Sequence, residues 1–86
     1  MTLDELAYIT ETKVVIDYIH DRRRFHAQLS DVRILNNGTI ESAFGGGRTP
    51  ELAQREYAKL LRGKRIAVGL SGPERREYSV PKSLVY

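Results

Sequence analysis

The sequence predicts an α+β fold, a mainly antiparallel sheet with the element order β-β-β-α-β-β and one helix packed across it. Three observations lead to this fold class. Several short segments alternate apolar with polar residues and are rich in β-branched and aromatic side chains, as strands are. Turn-forming glycine and asparagine residues separate these segments. One longer segment carries apolar residues at helical spacing, between clear start and stop signals.

The first third of the chain predicts a β-hairpin. Residues 13–19 (KVVIDYI) place apolar side chains alternately on the two faces of a strand. After a polar connection at residues 21–23, residues 24–29 (RFHAQL) alternate again, which indicates a returning strand. Residues 32–34 (VRI) continue in extended form.

Three further strands are predicted, one before the helix and two after it. The turn at residues 36–38 (NNG) leads into a third strand at residues 39–44 (TIESAF), because Asn and Gly accept the positive φ angles of tight turns. Beyond the helix, residues 65–70 (RIAVGL) and 77–80 (EYSV) predict two more strands, joined by a turn at residues 71–73 (SGP).

The helix has the clearest signals in the sequence. Thr49 is a good N-cap, Pro50 suits the first helical position and Glu51 favours the positive end of the helix dipole. Gly63 supplies a C-terminal stop, so a helix is predicted over residues 50–62. The apolar residues expected to pack on the sheet recur at helical spacing: Ala53, Tyr57, Leu60 and Leu61.

We expect one domain spanning residues 1–86, with residues 12–81 as its core. A chain of this length buries only about 60–65% of its unfolded surface, so the predicted core is modest. Thr2 and Glu5 fit a capping box, and residues 1–11 are therefore predicted to contain a short helical turn.

Several motifs between residues 24 and 81 follow a pattern found in known proteins. The matching residues are Phe25, His26, Ala27, the turn at residues 36–38, the run GGGRTPE at residues 45–51, Ala53, Tyr57, Ala58, Leu61, Gly63 and Lys64. They resemble the "strand, G-x-T-x-x-E-A, helix" signature of HicB-like domains, whose β-β-β-α-β arrangement is shared with the double-stranded-RNA-binding fold. Residues 63–81 resemble a set of small bacteriophage proteins of undefined function.

The resemblance implies a phage-type accessory or counter-defence protein. Such a protein would capture a nucleotide-like ligand or block a host protein. As an alternative, the HicB-like pattern implies an antitoxin-type inhibitor of a protein partner.

The composition indicates the cellular compartment of the protein and excludes several kinds of chemistry. The chain has no cysteine, which rules out disulfides, thiolate nucleophiles and Cys-ligated zinc and suits a reducing cytoplasm. No apolar run approaches the ~20 residues of a membrane span, and the first residues are acidic where a signal peptide is basic. We therefore expect a cytoplasmic protein without a membrane partner. The net charge of +3 is compatible with an anionic partner.

Three glycines that end the third predicted strand lie just before the helix and form a candidate ligand site. Gly45, Gly46 and Gly47 expose backbone N–H groups near a helix N-terminus, which favours an anion. Arg48 adds a charged donor and Thr49 a hydroxyl, as a phosphate or cyclic nucleotide requires. In the alternative interpretation, the glycines only let a strand turn sharply into a helix that lies on its own sheet.

Basic clusters support nucleic-acid binding as an alternative function. Arg22, Arg23 and Arg24 form the predicted hairpin tip, and Arg75 with Arg76 forms a second cluster. Hairpin tips contact phosphates in many nucleic-acid-binding proteins. A solvated turn that protects a sheet edge explains the same arginines. The aromatic residues give less support, because most fall on predicted core faces: Tyr8, Tyr18, Phe25, Phe44, Tyr57, Tyr78 and Tyr86.

The sequence predicts neither an enzyme nor a metal or cofactor site. His20 and His26 are the only histidines, and the nearby Asp17 has the opposite strand parity to His20. No third ligand has the spacing of a zinc site. The serines lack the motif of a nucleophile elbow, so no catalytic residue is assigned.

Apolar residues on both faces of the first strand predict self-association, most simply as a dimer. Val14, Ile16 and Tyr18 share one face, whereas Val15 and Ile19 lie on the other. One helix covers only one side of a sheet, so the second face calls for a partner.

Overall fold

The computed structural model describes residues 1–70 and 72–86. Ser71, part of the turn predicted at residues 71–73, lies outside the described residues. The two α-helices and seven strands that the described residues form are α1 (Leu3–Thr10), β1 (Val14–Ile19), β2 (Arg24–Leu29), β3 (Val32–Asn36), β4 (Thr39–Glu41), β5 (Gly45–Gly47), α2 (Pro50–Leu61), β6 (Arg65–Val68) and β7 (Arg76–Ser79). No helix in these ranges has the length and apolar character of a bilayer-spanning segment.

The strands form two antiparallel sheets, with the orders β1-β2-β5 and β4-β3-β6-β7. The α+β class is confirmed. The prediction of one sheet and one helix differs from the structure, in which the described residues form two sheets and two α-helices. Five strands precede α2, where three were predicted.

The division into two sheets begins between β2 and β3. Asp31 has a φ of 56°, in the left-handed region, so the chain turns sharply instead of extending β2. The predicted third strand at residues 39–44 is shortened to β4, which pairs with β3 in one sheet. The glycines that were predicted to end it instead form β5, which pairs with β2 in the other sheet. This division brings β5 alongside β2 and creates the setting of the candidate site.

Helix α2 ends at Leu61, one residue before its predicted end. Thr49 caps it as predicted, its Oγ1 accepting a hydrogen bond from the Leu52 N–H at 3.1 Å. The predicted burial of Leu60 is wrong, since this side chain is 43% exposed. At about 100° per residue, Leu60 lies at the margin of the stripe that packs on the sheet. The buried residues of that stripe are Ala53, Gln54, Tyr57, Ala58 and Leu61, so it includes Gln54 and Ala58 and excludes Leu60.

Helix α2 packs directly on the backbone of β5. A Cβ atom at Gly45 would overlap the carbonyl oxygen of Ala53, and one at Gly47 would lie 2.6 Å from the Ala53 nitrogen. Only glycine permits so close an approach. The position of α2 over the sheet therefore depends on these two residues.

Helix α1 belongs to the core of the domain. The capping box is present, because Glu5 N–H donates to Thr2 Oγ1 at 3.2 Å and Thr2 N–H donates to Glu5 Oε1 at 3.0 Å. The hydrogen bond from the Thr2 backbone lowers the pKa of the Glu5 carboxyl. Leu3, Leu6 and Leu84 are buried with the rest of the core, so the core extends beyond residues 12–81 at both ends.

Candidate anion-binding site

The turn between β1 and β2 presents three arginines to solvent. Arg22 closes a 3₁₀ turn, and Arg23 has a φ of 51° with its backbone N–H donating to the His20 carbonyl. Arg24 begins β2. All three side chains are exposed, and none forms an ion pair or side-chain hydrogen bond with another described residue.

Arg48 joins this cluster through the pairing of β2 with β5. The register sets Phe25 opposite Gly47, and continuing it by one residue sets Arg24 opposite Arg48. A depression of about 590 Å³ opens here, and the residues that line it are Arg22, Arg23, Arg24 and Arg48. We call these four residues the arginine surface. The structure thus unites the predicted ligand residue Arg48 with the predicted hairpin arginines.

A second depression of about 500 Å³ adjoins the arginine surface and shares Arg24 and Arg48 with it. It follows the outer edge of β5, which has β2 as its only strand neighbour in the described sheet. We call it the edge cleft. Helix α2 contributes Leu52, Arg55 and Lys59 to its wall, and Phe44, which immediately precedes β5, also lines it.

The charge in both depressions is strongly positive. Glu56 is the one carboxylate among the described residues lining them, and it already pairs with Lys59 at 3.4 Å. Arg48 and Arg55 have no acidic partner within the described part of the chain. Clustered guanidinium groups without counter-charges produce a positive potential that attracts anions and weakens with salt.

The glycine segment differs from the predicted open loop. Gly45–Gly47 forms β5, in register with residues 25–27 of β2, and the close packing of α2 gives two of its glycines a structural role. At the helix end, the Leu52 and Ala53 N–H groups donate to Thr49, and Pro50 has no N–H. These N–H groups of the helix end are therefore not free for an anion, whereas the three glycines line the edge cleft beside Arg48. The candidate ligand site rests on Arg48 and its neighbours, with Thr49 serving as the helix cap.

Arg75 and Arg76 are not brought to the arginine surface. Arg76 donates from Nη2 to the Thr10 carbonyl at 3.1 Å and lies 3.7 Å from Glu11, so it ties β7 to α1. Arg75 pairs with Glu77 at 3.4 Å. The two predicted arginine clusters therefore have different surroundings, since neither Arg75 nor Arg76 lines the depression at the arginine surface.

Phe44, which the sequence assigned to a core face, is instead 50% exposed. Its ring stacks on that of His26, with centroids 4.0 Å apart and planes inclined by 22°. The rings of His20 and Tyr18 form a T-shaped pair, with centroids 4.9 Å apart. Both histidines therefore have aromatic neighbours, and no group of three His, Asp or Glu side chains suited to a metal gathers in the described ranges.

Sequence reasoning missed the contributions of Phe44, Leu52 and Arg55 to the edge cleft. Leu52 and Arg55 are three residues apart on α2, so they share a helix face, but only the packing of α2 on β5 turns that face toward the cleft.

Comparison of the chain with protein-family models, with curated proteins and with solved structures gave no match.

Proposed function

We propose that this protein is a non-catalytic binding protein that captures a small, phosphate-bearing ligand of nucleotide type on the arginine surface. The observation that carries this proposal is the depression whose lining, among the described residues, consists of Arg22, Arg23, Arg24 and Arg48. Guanidinium groups are planar, remain charged at all physiological pH values and match phosphate oxygens in bidentate geometry. Four of them with no carboxylate between them favour a multiply charged phosphate group.

The size of the site also supports a small ligand. Small-molecule pockets typically measure about 300–1,000 Å³, and the two adjoining depressions measure about 590 and 500 Å³. A bound anion relieves the mutual repulsion of the arginines, and each hydrogen bond to a charged group contributes about 1.5–3 kcal/mol. Several such contacts are needed to offset the cost of association, which is at least about 4 kcal/mol.

The biological role that we propose follows the resemblance to small bacteriophage proteins and HicB-like domains. In a cytoplasmic accessory or counter-defence protein, capture of a nucleotide would remove it from a host process. The same role could involve a protein partner, in which case the protein would block a host protein as an antitoxin-type inhibitor does.

Single-stranded nucleic acid is the second candidate ligand, and one specific observation favours it. The positive charge continues from the arginine surface along α2, where Arg55, Lys59 and Arg62 line a further depression. Consecutive phosphates of a strand bind along such tracks of positive charge. Affinity that rises with strand length distinguishes this candidate from a mononucleotide site.

The test compares Arg48→Ala with the parent protein and with Arg65→Ala. Calorimetric titration at low salt measures binding of tripolyphosphate, ATP and short single-stranded oligonucleotides. We expect Arg48→Ala to weaken binding of tripolyphosphate and ATP by about tenfold or more, because a charged hydrogen bond is lost. Arg65→Ala removes the same charge from β6, where Arg65 pairs with Glu77 at 3.2 Å, and binding should stay close to that of the parent.

Two results would contradict this function. One is a parent protein that binds none of these anions at low salt. The other is an equal loss in Arg65→Ala and Arg48→Ala, which would indicate a non-specific effect of net charge. Affinity that grows with oligonucleotide length, with a log–log salt slope of about 0.7 per phosphate contact, would instead favour the nucleic-acid candidate.

A further inference from the structure

Phe44 is a large apolar side chain displayed within a basic cleft. Half of its surface is exposed, although His26 covers one side of the ring in a stacked arrangement at 4.0 Å. Leaving such a ring in contact with water costs free energy relative to burying it, so the exposed surface is suited to an apolar, flat ligand group.

The direction of the ring follows from the packing of β5. Gly45 and Gly47 face α2, so Gly46 and its partner His26 lie on the opposite side of the sheet, where the ring of Phe44 stacks on His26. Arg24 also lies on that side, because its Nη2 would be only 3.3 Å from a Cβ atom at Gly46. Strand parity therefore gathers an aromatic ring and a guanidinium group on one face of the sheet.

Phe44 and the arginine surface open into the same space. Arg24 and Arg48 line both depressions, and Phe44 lines the edge cleft with them. A ligand that binds its phosphates to Arg24 and Arg48 has the ring of Phe44 in the same cleft. A flat, aromatic group attached to a phosphate is the chemistry of a nucleotide.

We infer that Phe44 is the residue that recognises the base: the base of a nucleotide stacks on its ring while the phosphates bind Arg24 and Arg48. This inference rests on the proposed function, and it distinguishes a nucleotide site from a site for inorganic or protein-bound phosphate. Because every base has an aromatic face, stacking of this kind tolerates all four bases. Specificity is therefore for nucleotides as a class.

The experiment compares ATP with tripolyphosphate, which presents the same three phosphates without the nucleoside. Charge alone predicts that tripolyphosphate binds at least as tightly as ATP. Base stacking predicts that the parent binds ATP about 5- to 100-fold more tightly. The variant Phe44→Leu should lose this preference and keep its affinity for tripolyphosphate. Tyr8→Leu removes an aromatic side chain that is 86% exposed on α1, and it should bind both ligands as the parent does.

The variant Phe44→Trp supplies a direct optical signal. The chain contains no tryptophan, so the introduced indole is its only one. A nucleotide base stacked on this indole should quench its fluorescence, whereas tripolyphosphate at saturation should leave it nearly unchanged. Phe44→Trp should also retain the preference for ATP, since the indole is a larger stacking surface.

The outcomes separate this inference from the proposed function. If the parent binds ATP and tripolyphosphate equally and both depend on Arg48, the phosphate site stands and the role of Phe44 is wrong. If neither ligand binds the parent at low salt, both proposals fail. If Phe44→Leu does not fold, fluorescence of Phe44→Trp decides, and equal quenching by both ligands overturns the inference.

Discussion

At the scale of single residues, Tyr57 is the central side chain of the core. It is 1% exposed, and it lies on the stripe of α2 that helical spacing predicted to face the sheet. Burial raises the pKa of its phenol, and a hydrogen bond with the Leu29 backbone partly opposes this shift. The helix is thereby connected through Tyr57 to the end of β2.

We expect Tyr57→Ala to lower the free energy of unfolding by about 3 kcal/mol, because the substitution removes a buried ring and leaves a cavity. Urea denaturation followed by circular dichroism measures this change. Tyr8→Ala provides the matched control, since Tyr8 is 86% exposed and its replacement should change the free energy by about 0.5 kcal/mol at most. Equal denaturation midpoints for the two variants would contradict the central role of Tyr57.

At the scale of secondary-structure elements, the contact between β5 and α2 decides the shape of the candidate site. Gly45 and Gly47 bring the helix onto the strand, while Gly46 points to the other face beneath Arg24. The outer edge of β5 is left open beside α2, and the edge cleft follows it. The same glycines that suggested an anion-binding loop thus act by allowing two elements to pack closely.

The three glycines permit a matched comparison. Gly45→Ala forces a methyl group against the backbone of α2, and we expect it to destabilise the fold by about 1–3 kcal/mol through overpacking. Gly46→Ala meets only the flexible end of Arg24, at 3.3 Å, and should change stability by about 0.5 kcal/mol at most. Thermal denaturation checks both. If Gly46→Ala were the more destabilising variant, the assignment of the two faces of β5 would be wrong.

At the scale of the whole molecule, charge and apolar surface are unevenly distributed. Basic side chains surround the arginine surface and the edge cleft, whereas Glu11 and Glu74 line a different depression together with Arg76. Apolar residues remain exposed on β1, because α2 contacts β2 and β5 and leaves β1 less covered. Ile16 and Tyr18 are 37% and 44% exposed, although the register aligns them with Ala27 and Phe25. The exposed apolar residues of β1 therefore lie on the face that the sequence predicted to be covered, whereas Val15 and Ile19, on the face predicted to need a partner, are partly buried.

We therefore expect the protein to self-associate through β1, most simply as a dimer. Light scattering should give about twice the monomer mass of 9.8 kDa at high protein concentration. Ile16→Lys should return the mass to that of the monomer, because a charge is introduced into an apolar contact. Ile40→Lys, at a residue on β4 that is 48% exposed, should leave the mass unchanged. A parent protein that stays monomeric would reject this expectation.

The amino-acid sequence by itself determined the local features of this protein. The caps at Thr2 and Thr49, the start of α2 at Pro50 and the turn at Asn37 and Gly38 all depend on residues within a few positions of one another. The positive φ angles of 49° and 84° at that turn match the tolerance of Asn and Gly. Because such signals depend on neighbouring residues alone, they can be recognised in the sequence without knowledge of the tertiary structure.

Only the tertiary structure decided which segments meet. The division of residues 39–47 between two sheets and the meeting of Arg24 with Arg48 depend on the pairing of β5 with β2. The exposure of Leu60 depends on how α2 is rotated against the sheet. Alternation and helical spacing specify the faces of an element but not its neighbours. The arginines of the candidate site were therefore visible in the sequence as a cluster at residues 22–24 and a separate arginine at position 48, and long-range strand pairing made them one surface.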